Sequence, residues 1–575
     1  MDALLEFRWE VAIGDEILTA DELAILADAK RPLVRLRSRW VLADPELLAR
    51  LRRKPRLRAA DGLAAALTGE LTVAGEAVAV RLDGPLATLA DRLQGLDTNR
   101  ELPEPAGLEA TLRPYQRRGL AWLGELSTLG LGGCLADDMG LGKTLQVIAL
   151  HLHEAETKGQ HGPMLVVCPT TLLGNWAREI ERFAPGLVVR RYHGSGRQLD
   201  GLVPREVVLT TYGTARRDAV ALAEVAWARV VADEAQHAKN PLARTAKALR
   251  AIPAPSRIAL TGTPVENRLS ELWSIIDWSV PGLLGPLEVF RRDVAVPIER
   301  DRDPQATERF VRVVRPFLLR RRKSDPDIVP DLPPKTETDR VVPLTAEQTT
   351  LYEAIVQETL ARIRDAEGIQ RQGLVFQLLT ALKQVCDHPA LYLRQRGPYA
   401  GRSGKLEALD ELVDVITAEG DAVLVFSQYV EMCRILEAHL QARGIGSRFL
   451  HGGLTAKKRQ EMVDGFQAGE APVFLLSLKA GGTGLNLTRA THVIHYDRWW
   501  NPAVEDQASD RAWRIGQDRP VQVHRFVAEG TMEDRIAQVI ASKRDLVERV
   551  VGHGEAWITQ LSDDDLTELV QLGAG

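Results

Sequence analysis

Twice along the chain, short apolar β-rich runs alternate with helical stretches, and this alternation constrains the fold more than any other feature. From Leu112 to Leu260 the runs are LVVC from Leu165, VVLTTY from Val207, RVVADE from Arg229 and RIALTG from Arg257. Helical stretches such as Thr144–His153 and Leu172–Phe183 separate them. The second block holds AVLVFSQ, SRFLHGG, VFLLSLK, THVIHYD and VQVHRF. Strands that are apolar throughout are covered on both faces, the condition of a parallel sheet between helices. The expected fold class is therefore α/β, with two parallel-sheet lobes and a ligand cleft between them. Between the blocks, LSELWSIIDW and QTTLYEAIVQETLARI carry helical periodicity, interrupted at DIVPDLPPK. The expected divisions are 1–108 (accessory region), 109–265 (first lobe), 266–400 (helical protrusions and crossing), 401–530 (second lobe) and 531–575 (C-terminal helical segment).

A chain of 575 residues is long enough for several cores. No apolar run approaches the roughly 18 residues that a membrane helix needs. The start, MDALLEFRWEVAIGDE, lacks a basic-then-apolar targeting layout, so the expected location is cytoplasmic. The cysteines Cys134, Cys168, Cys386 and Cys433 stand too far apart for a metal-type pair or a disulfide lattice. A net charge of −5 excludes a protein that holds polyanions by bulk charge, but leaves room for a local basic groove. One basic run is visible: Lys30 to Arg58 carries eleven Lys or Arg against Asp44 and Glu46. A solvated helix face and a nucleic-acid contact are both open for it. The polar stretch DTNRELPEPAG reads as the linker that follows.

The strongest chemical signal is LADDMGLGKTLQVIAL, from Leu135 to Leu150. A strand runs into a Gly-rich turn, then Lys143 and Thr144, then an apolar helix. Gly140 and Gly142 let backbone N–H groups approach phosphate oxygens at the positive end of the helix dipole. Lys143 suits the β- and γ-phosphates, and the Thr144 hydroxyl suits Mg²⁺. Asp138, Met139 and Leu141 complete the loop. Asp137 stands where the regular phosphate loop has Gly.

Asp233 and Glu234 close the run WARVVADEAQ, about 90 residues later. Acids at the carboxyl end of a strand lie where open α/β sheets bind ligands. Asp233 suits the metal, and Glu234 suits the positioning and deprotonation of an attacking water. Gln116, in LRPYQRRGLAWL, offers an amide that can pair with an adenine edge. In the second block, QASDRAWRIGQ spaces Gln507, Arg511 and Arg514 along one helical face, where two arginines could reach a γ-phosphate across a cleft.

The ordered series LRPYQ, DDMGLGKT, VVCPTTLLGNW, VLTTYGT, DEAQ, TGTPVEN, VFSQ, LSLKAGGTGLNLT and HYDRWWNPAVEDQASDRAWRIGQ resembles the Swi/Snf-type ATPases of helicase superfamily two. The likeness runs from about Leu112 to Leu561. It implies two RecA-like lobes, ATP hydrolysis with Mg²⁺, and translocation on double-stranded DNA without strand separation, in the cytoplasm of a bacterium or archaeon at its nucleoid. It assigns functional roles to Gln116, Lys143, Thr144, Asp233, Glu234, Gln236, Arg511 and Arg514. It makes Thr261-Gly262-Thr263 the element that couples hydrolysis to lobe movement. This chain departs from the pattern at Asp138, Leu478 and Trp513, where Glu, Thr and His are common. The first 110 residues resemble the end of a helicase-associated region in longer bacterial members, so a short or truncated member is expected.

DNA contacts are expected from strand-end groups suited to phosphate oxygens: Thr170, Thr171, Thr211, Lys479, Gly482, Thr483 and Asn486. Arg315 and the Arg320-Arg321-Arg322-Lys323 cluster read as a basic helix end between the lobes, or as a partner or DNA contact near the crossing. Trp499 and Trp500 read as packing groups, in preference to base stacking. No metal beyond Mg²⁺ is expected from the scattered histidines. The leading function is a DNA-stimulated ATPase that moves along duplex DNA. Two rivals stay open: a strand-separating helicase, and an ATP-switched remodeller of a protein partner such as RNA polymerase.

Overall fold

The computed structural model describes residues 12–13, 16–27, 33–36, 39–42, 59–73, 76–80, 84–96, 100–157, 162–238, 240–241, 243–262, 264–265, 268–323, 325, 327–329, 332–478, 485–499, 502–537 and 562–573. Seven strands make the first sheet: β1 (Gly133–Leu135), β2 (Met164–Cys168), β3 (Val189–Arg191), β4 (Val207–Thr211), β5 (Arg229–Asp233), β6 (Ser256–Leu260) and β7 (Leu318–Leu319). Their spatial order is β7-β1-β6-β5-β2-β4-β3, and every pairing is parallel. The second sheet holds β8 (Lys335–Val342), β9 (Val423–Ser427), β10 (Ser447–Leu450), β11 (Val473–Ser477), β12 (His492–His495) and β13 (Val521–Ala528). Its order is β8-β13-β12-β9-β11-β10, again all parallel.

Alternate side chains of one strand enter different cores, which is why these runs are apolar throughout. Val423 and Val425 of β9 pack on one side of the sheet, while Leu424 and Phe426 pack on the other. The helices that place the candidate site are α1 (Pro114–Thr128), α2 (Lys143–Thr157) and α3 (Leu173–Phe183) in the first lobe. Helices α4 (Ala346–Arg364) and α5 (Gly368–Asp387) protrude beyond the second sheet, and α6 (Pro502–Ser509) belongs to the second lobe. The protrusion shares a core with the C-terminal helix Asp563–Val570, through Leu378, Leu382, Leu566 and Val570. Ahead of α1, Leu63, Leu67, Leu86 and Leu93 join the first lobe's core, and Arg92 pairs with Glu125 of α1.

Residues 266–400 are mainly helical, and β7 and β8 also lie within them. The sequence of β8, KTETDRVV, is charged because it is an edge strand with one covered side; Glu337 pairs with Arg525 of β13. Arg315 stands at the C-cap of the helix Pro304–Val314, while Leu318-Leu319 is the edge of the first sheet and the Arg320–Lys323 cluster follows that strand. In the basic Lys30–Arg58 run, the described residues form an antiparallel pair, Leu33–Leu36 with Arg39–Leu42, in place of a helix face. The rest of that run lies outside the described residues. Among the described residues, no helix is long and apolar enough to cross a membrane.

Candidate nucleotide site and interlobe cleft

The turn between β1 and α2 is built from glycines for two reasons. Gly140 and Gly142 have φ of +85° and +74°, in the region that costs L side chains most. Both also meet close neighbours: a Cβ on Gly142 would sit 2.4 Å from Gln116 Nε2, and one on Gly140 would sit 2.8 Å from Arg514 Cβ. Lys143 donates from Nζ to the carbonyls of Asp137 (2.5 Å) and Asp138 (3.3 Å), across the mouth of the turn. Asp137 is fully buried and its carboxylate is gripped by Arg321, whose backbone N–H and Nε donate at 3.1 and 2.9 Å. The aspartate at the expected glycine position thus anchors the loop to the segment after β7.

Gln116 is buried at the start of α1. Its Nε2 donates to the Leu141 carbonyl at 3.2 Å, and its Oε1 accepts from Arg113 N at 2.9 Å. Tyr115 donates to the same carbonyl at 2.9 Å. The amide therefore stands against the loop, bracing it and capping its own helix.

The acid pair emerges from β5, with Glu234 at φ +51°, a left-handed conformation unusual for a side chain of this size. Trp176 of α3 donates from Nε1 to Asp233 Oδ2 at 2.7 Å, and Glu234 N donates to Asp233 Oδ1 at 2.9 Å. Burial first, and the neighbouring Glu234 carboxylate second, push the Asp233 carboxyl up to about 7, against the Trp176 hydrogen bond and Lys143. Gln236 donates to Glu234 Oε2 at 2.7 Å, and Thr261 donates to Gln236 Oε1 at 2.9 Å. A short relay thus links the end of β6 to Glu234. Thr263 lies outside the described residues.

From the second lobe, Arg511 donates to Met139 Sδ at 3.4 Å and is 2% exposed. Burial pushes its guanidinium down to about 10, while the Glu234 charge acts the other way. Arg514 donates to the Leu485 carbonyl at 3.0 Å; burial lowers it too, opposed by Glu179 and Asp510. These arginines do not continue α6, as their spacing predicts. The helix stops at Ser509, because non-helical donors take the next carbonyls: Leu487 N at Arg511, Gln517 Nε2 at Ala512, and Lys323 Nζ at Trp513.

The expected DNA-facing groups divide. Thr170 and Thr171 are exposed in the turn after β2. Thr211 is buried, and its hydroxyl caps the helix Tyr212–Arg217 by accepting from Thr214 N at 3.2 Å. Asn486 is exposed beside Leu485, the residue that holds Arg514. Lys479, Gly482, Thr483 and Trp500 lie outside the described residues. Trp499 packs against the second lobe's core. At the amino-terminal edge of the second sheet, Glu419, Asp421 and His492 bring ligand-type atoms within 4.8 Å of one another. Arg519 grips both Asp421 oxygens there, which makes the group an ion-pair cluster.

Residues 115–391 match the SNF2-related domain, residues 404–516 the helicase conserved C-terminal domain, and residues 1–69 a model described as SNF2 helicase protein. YwqA of Bacillus subtilis (strain 168), a candidate ATP-dependent helicase/translocase, is 42% identical over 100% of this chain. The chain belongs to the SNF2-related family. The ISWI chromatin-remodeling complex ATPase CHR11 of Arabidopsis thaliana is 35% identical over 84% of the chain. The chain spans 65% of the Bacillus protein's length and 47% of the Arabidopsis protein's. The SWI2/SNF2 ATPase core of Sulfolobus solfataricus, solved in complex with dsDNA, is 40% identical, with 83% of this chain and 100% of that chain covered and a TM-score of 0.42.

In this SNF2-related chain, sequence reasoning missed Trp176 and Glu179, and it placed Arg321 and Lys323 in a basic cluster near the crossing without showing their hold on the loop. Trp176 stands in the quoted block VVCPTTLLGNW but carries no chemical signature of its own. Glu179 follows it on α3, where burial raises its carboxyl against hydrogen bonds from Asn175 and Thr144 and the Arg514 charge. Its place one turn from Asn175 is the one signal that could have singled it out.

Proposed function

We propose that the protein is a DNA-stimulated ATPase that translocates along double-stranded DNA without separating its strands, and so displaces or remodels proteins bound there. One observation carries this reading. The phosphate loop and acid pair of one sheet meet two arginines of the other, the buried Arg511 at 3.4 Å from Met139 and the half-buried Arg514 against Gly140. A site divided between two lobes is completed only when they come together, which suits a motor. The name of the Bacillus relative supports translocation, and the family places the chain with helicase-like ATPases.

The residues fit ATP and Mg²⁺. Cβ atoms on Gly140 and Gly142 would fill the phosphate cradle, and Thr144 and Asp233 offer the hard oxygen donors that Mg²⁺ prefers. When bound, Mg²⁺ supplies charge neutralisation at the phosphates. Lys143 leaves the carbonyls of Asp137 and Asp138 for phosphate oxygens. The backbone at Gly140 and Gly142 gives N–H donors. Glu234, oriented by Gln236, takes the proton of the attacking water. Arg511 and Arg514 meet the charge that develops on the transferred phosphoryl group. Gln116 reads the base edge beside the loop.

Thr170 and Thr171 lie in the turn at the carboxyl end of β2 and Asn486 is exposed between β11 and β12; in this reading a phosphodiester backbone runs past them across both lobes. Lys479, Gly482 and Thr483 complete that track in this proposal, with Thr211 supporting it from below. Backbone contacts carry no sequence code, so stimulation should depend little on sequence and fall as salt rises. The test is ATP turnover with duplex DNA, single-stranded DNA and RNA, followed by triplex displacement and duplex unwinding on one preparation. Equal turnover with and without duplex DNA overturns the translocase reading, and efficient unwinding of a plain duplex replaces it with a helicase.

A further inference from the structure

We infer that Lys323 is a positioning residue that fastens the phosphate loop of the first lobe to the arginine-bearing turn of the second. This rests on the proposed ATPase reading for its functional meaning, but the contact itself is structural. Lys323 stands in the segment that leaves β7 and crosses towards β8. Its backbone N–H donates to Asp138 Oδ2 at 2.9 Å, in the phosphate loop. Its ammonium reaches the other lobe, 2.8 Å from Asp510 Oδ1, and donates to the Trp513 carbonyl at 2.6 Å.

The turn is held from the crossing segment at further points. The Trp513 indole N–H donates to the Pro333 carbonyl at 2.7 Å. Its ring lies 5.1 Å from Lys323 Nζ and 5.0 Å from Lys335 Nζ, so two ammonium groups share one aromatic face system. Asp510 and Trp513 are the immediate neighbours of Arg511 and Arg514. Anything that shifts Lys323 therefore shifts both arginines against the loop, and Arg514 already lies at the clearance limit of Gly140.

A lysine that is 4% exposed is not placed there for surface solubility. Taking its ammonium out of water is costly unless its partners are in place; those partners, Asp510 and the Trp513 carbonyl, belong to the second lobe, while the backbone N–H of the same residue holds Asp138 of the first. The residue thus joins the lobes through its backbone on one side and its ammonium on the other, so moving the lobes apart must break one of the two attachments. Trp513, a departure from the histidine common at this position, supplies the aromatic surface on which the strap lies.

The experiment compares Lys323→Met, Lys323→Arg, Asp510→Asn and the Lys323→Met/Asp510→Asn double variant with the parent. It reads ATP kcat and KM, nucleotide affinity, melting temperature, and interlobe distance from a donor–acceptor dye pair, one dye on each lobe. Lys323→Met should lower kcat about tenfold or more, the scale of one charged hydrogen bond, with KM and nucleotide affinity within about threefold. Lys323→Arg should restore most of the rate. The double variant should be no slower than the slower single, because both substitutions break one contact. Dye transfer should show lobes further apart in Lys323→Met. Should Lys323→Met fail to fold, Asp510→Asn makes the same test from the other lobe. A parent-like kcat and dye distance, or a change in KM alone, overturns the proposal. A parent without ATP turnover would defeat the ATPase reading instead, and the dye distances would still judge the strap.

Discussion

Trp176 and Asp233, 57 residues apart in the chain, share a buried hydrogen bond of 2.7 Å between the indole N–H and Oδ2. With Glu234 N on Oδ1, the carboxylate is held by a donor at each oxygen, so its plane is set before any ligand arrives. Such outer contacts commonly govern how well a carboxylate serves a metal.

Trp176→Phe keeps the ring in the core and deletes the donor. Apparent Mg²⁺ affinity in the nucleotide complex should weaken about 10- to 100-fold. Calorimetric titration of Mg²⁺ with a non-hydrolysable nucleotide reads this independently of turnover. Unchanged Mg²⁺ affinity would reduce Trp176 to a packing residue.

Glu234→Gln should slow turnover by about 10²–10⁴ while nucleotide affinity holds, as expected on loss of a general base. Gln236→Ala should give a smaller loss, because it orients Glu234 from 2.7 Å without meeting substrate. Single-turnover hydrolysis beside equilibrium binding checks both. Collapse of nucleotide affinity in Glu234→Gln would make that residue structural.

Arg511→Ala and Arg514→Ala should each leave nucleotide binding by the first lobe mostly intact and cut hydrolysis by roughly 10³–10⁵. Arg514→Ala should also weaken the response to DNA, because Arg514 is held by Leu485 beside the exposed Asn486. The check is turnover against duplex concentration. Normal hydrolysis in both variants would detach the second lobe from the active site.

His495 is fully buried in β12, with Nε2 2.9 Å from Ser509 Oγ, and burial pushes its imidazole down to about 4. Its unfolded value is near 6.5, so its contribution to stability is complete above about 6.5 and is lost as pH falls towards about 4. Asp497, pushed up to about 6 by burial, acts in the opposite direction between about 4 and 6. Total stability therefore mixes both, and the specific test is a difference. The melting temperature of the parent minus that of His495→Asn should rise with pH between about 4 and 6.5. Parallel curves would show that His495 does not titrate on unfolding.

What the sequence disclosed was local. Gly140, Gly142 and Lys143 are a few positions apart, and Asp233 and Glu234 are adjacent, so the chemistry of each group is written in consecutive residues. The five β-rich runs of the second block became β9 to β13, most plainly β9 and β11, where burial on both faces leaves an apolar run. β8 was hidden, since an edge strand with one covered side can be charged. Arg321 grips Asp137 from 184 positions away, and Lys323 meets Trp513 from 190. No period or spacing encodes such contacts; only the closing of a sheet brings them about. The reading of Arg511 and Arg514 as one helical face failed for a related reason. Their own carbonyls and those between them are claimed by Leu487, Gln517 and Lys323, which the local sequence does not show.

Among the described residues, the strands of the first sheet precede those of the second, and the chain passes from one sheet to the other between Leu319 and Lys335. Both ends of that passage are stitched in as edge strands, β7 beside β1 and β8 beside β13. Any swivel of one sheet against the other must therefore be absorbed in the residues between, which include Arg321 and Lys323. The stretch that joins the two sheets also carries the groups that hold Asp137 and Asp138. A torque applied at the far lobe would reach Asp137 and Asp138 through a few bonds, without needing to pass through either hydrophobic core.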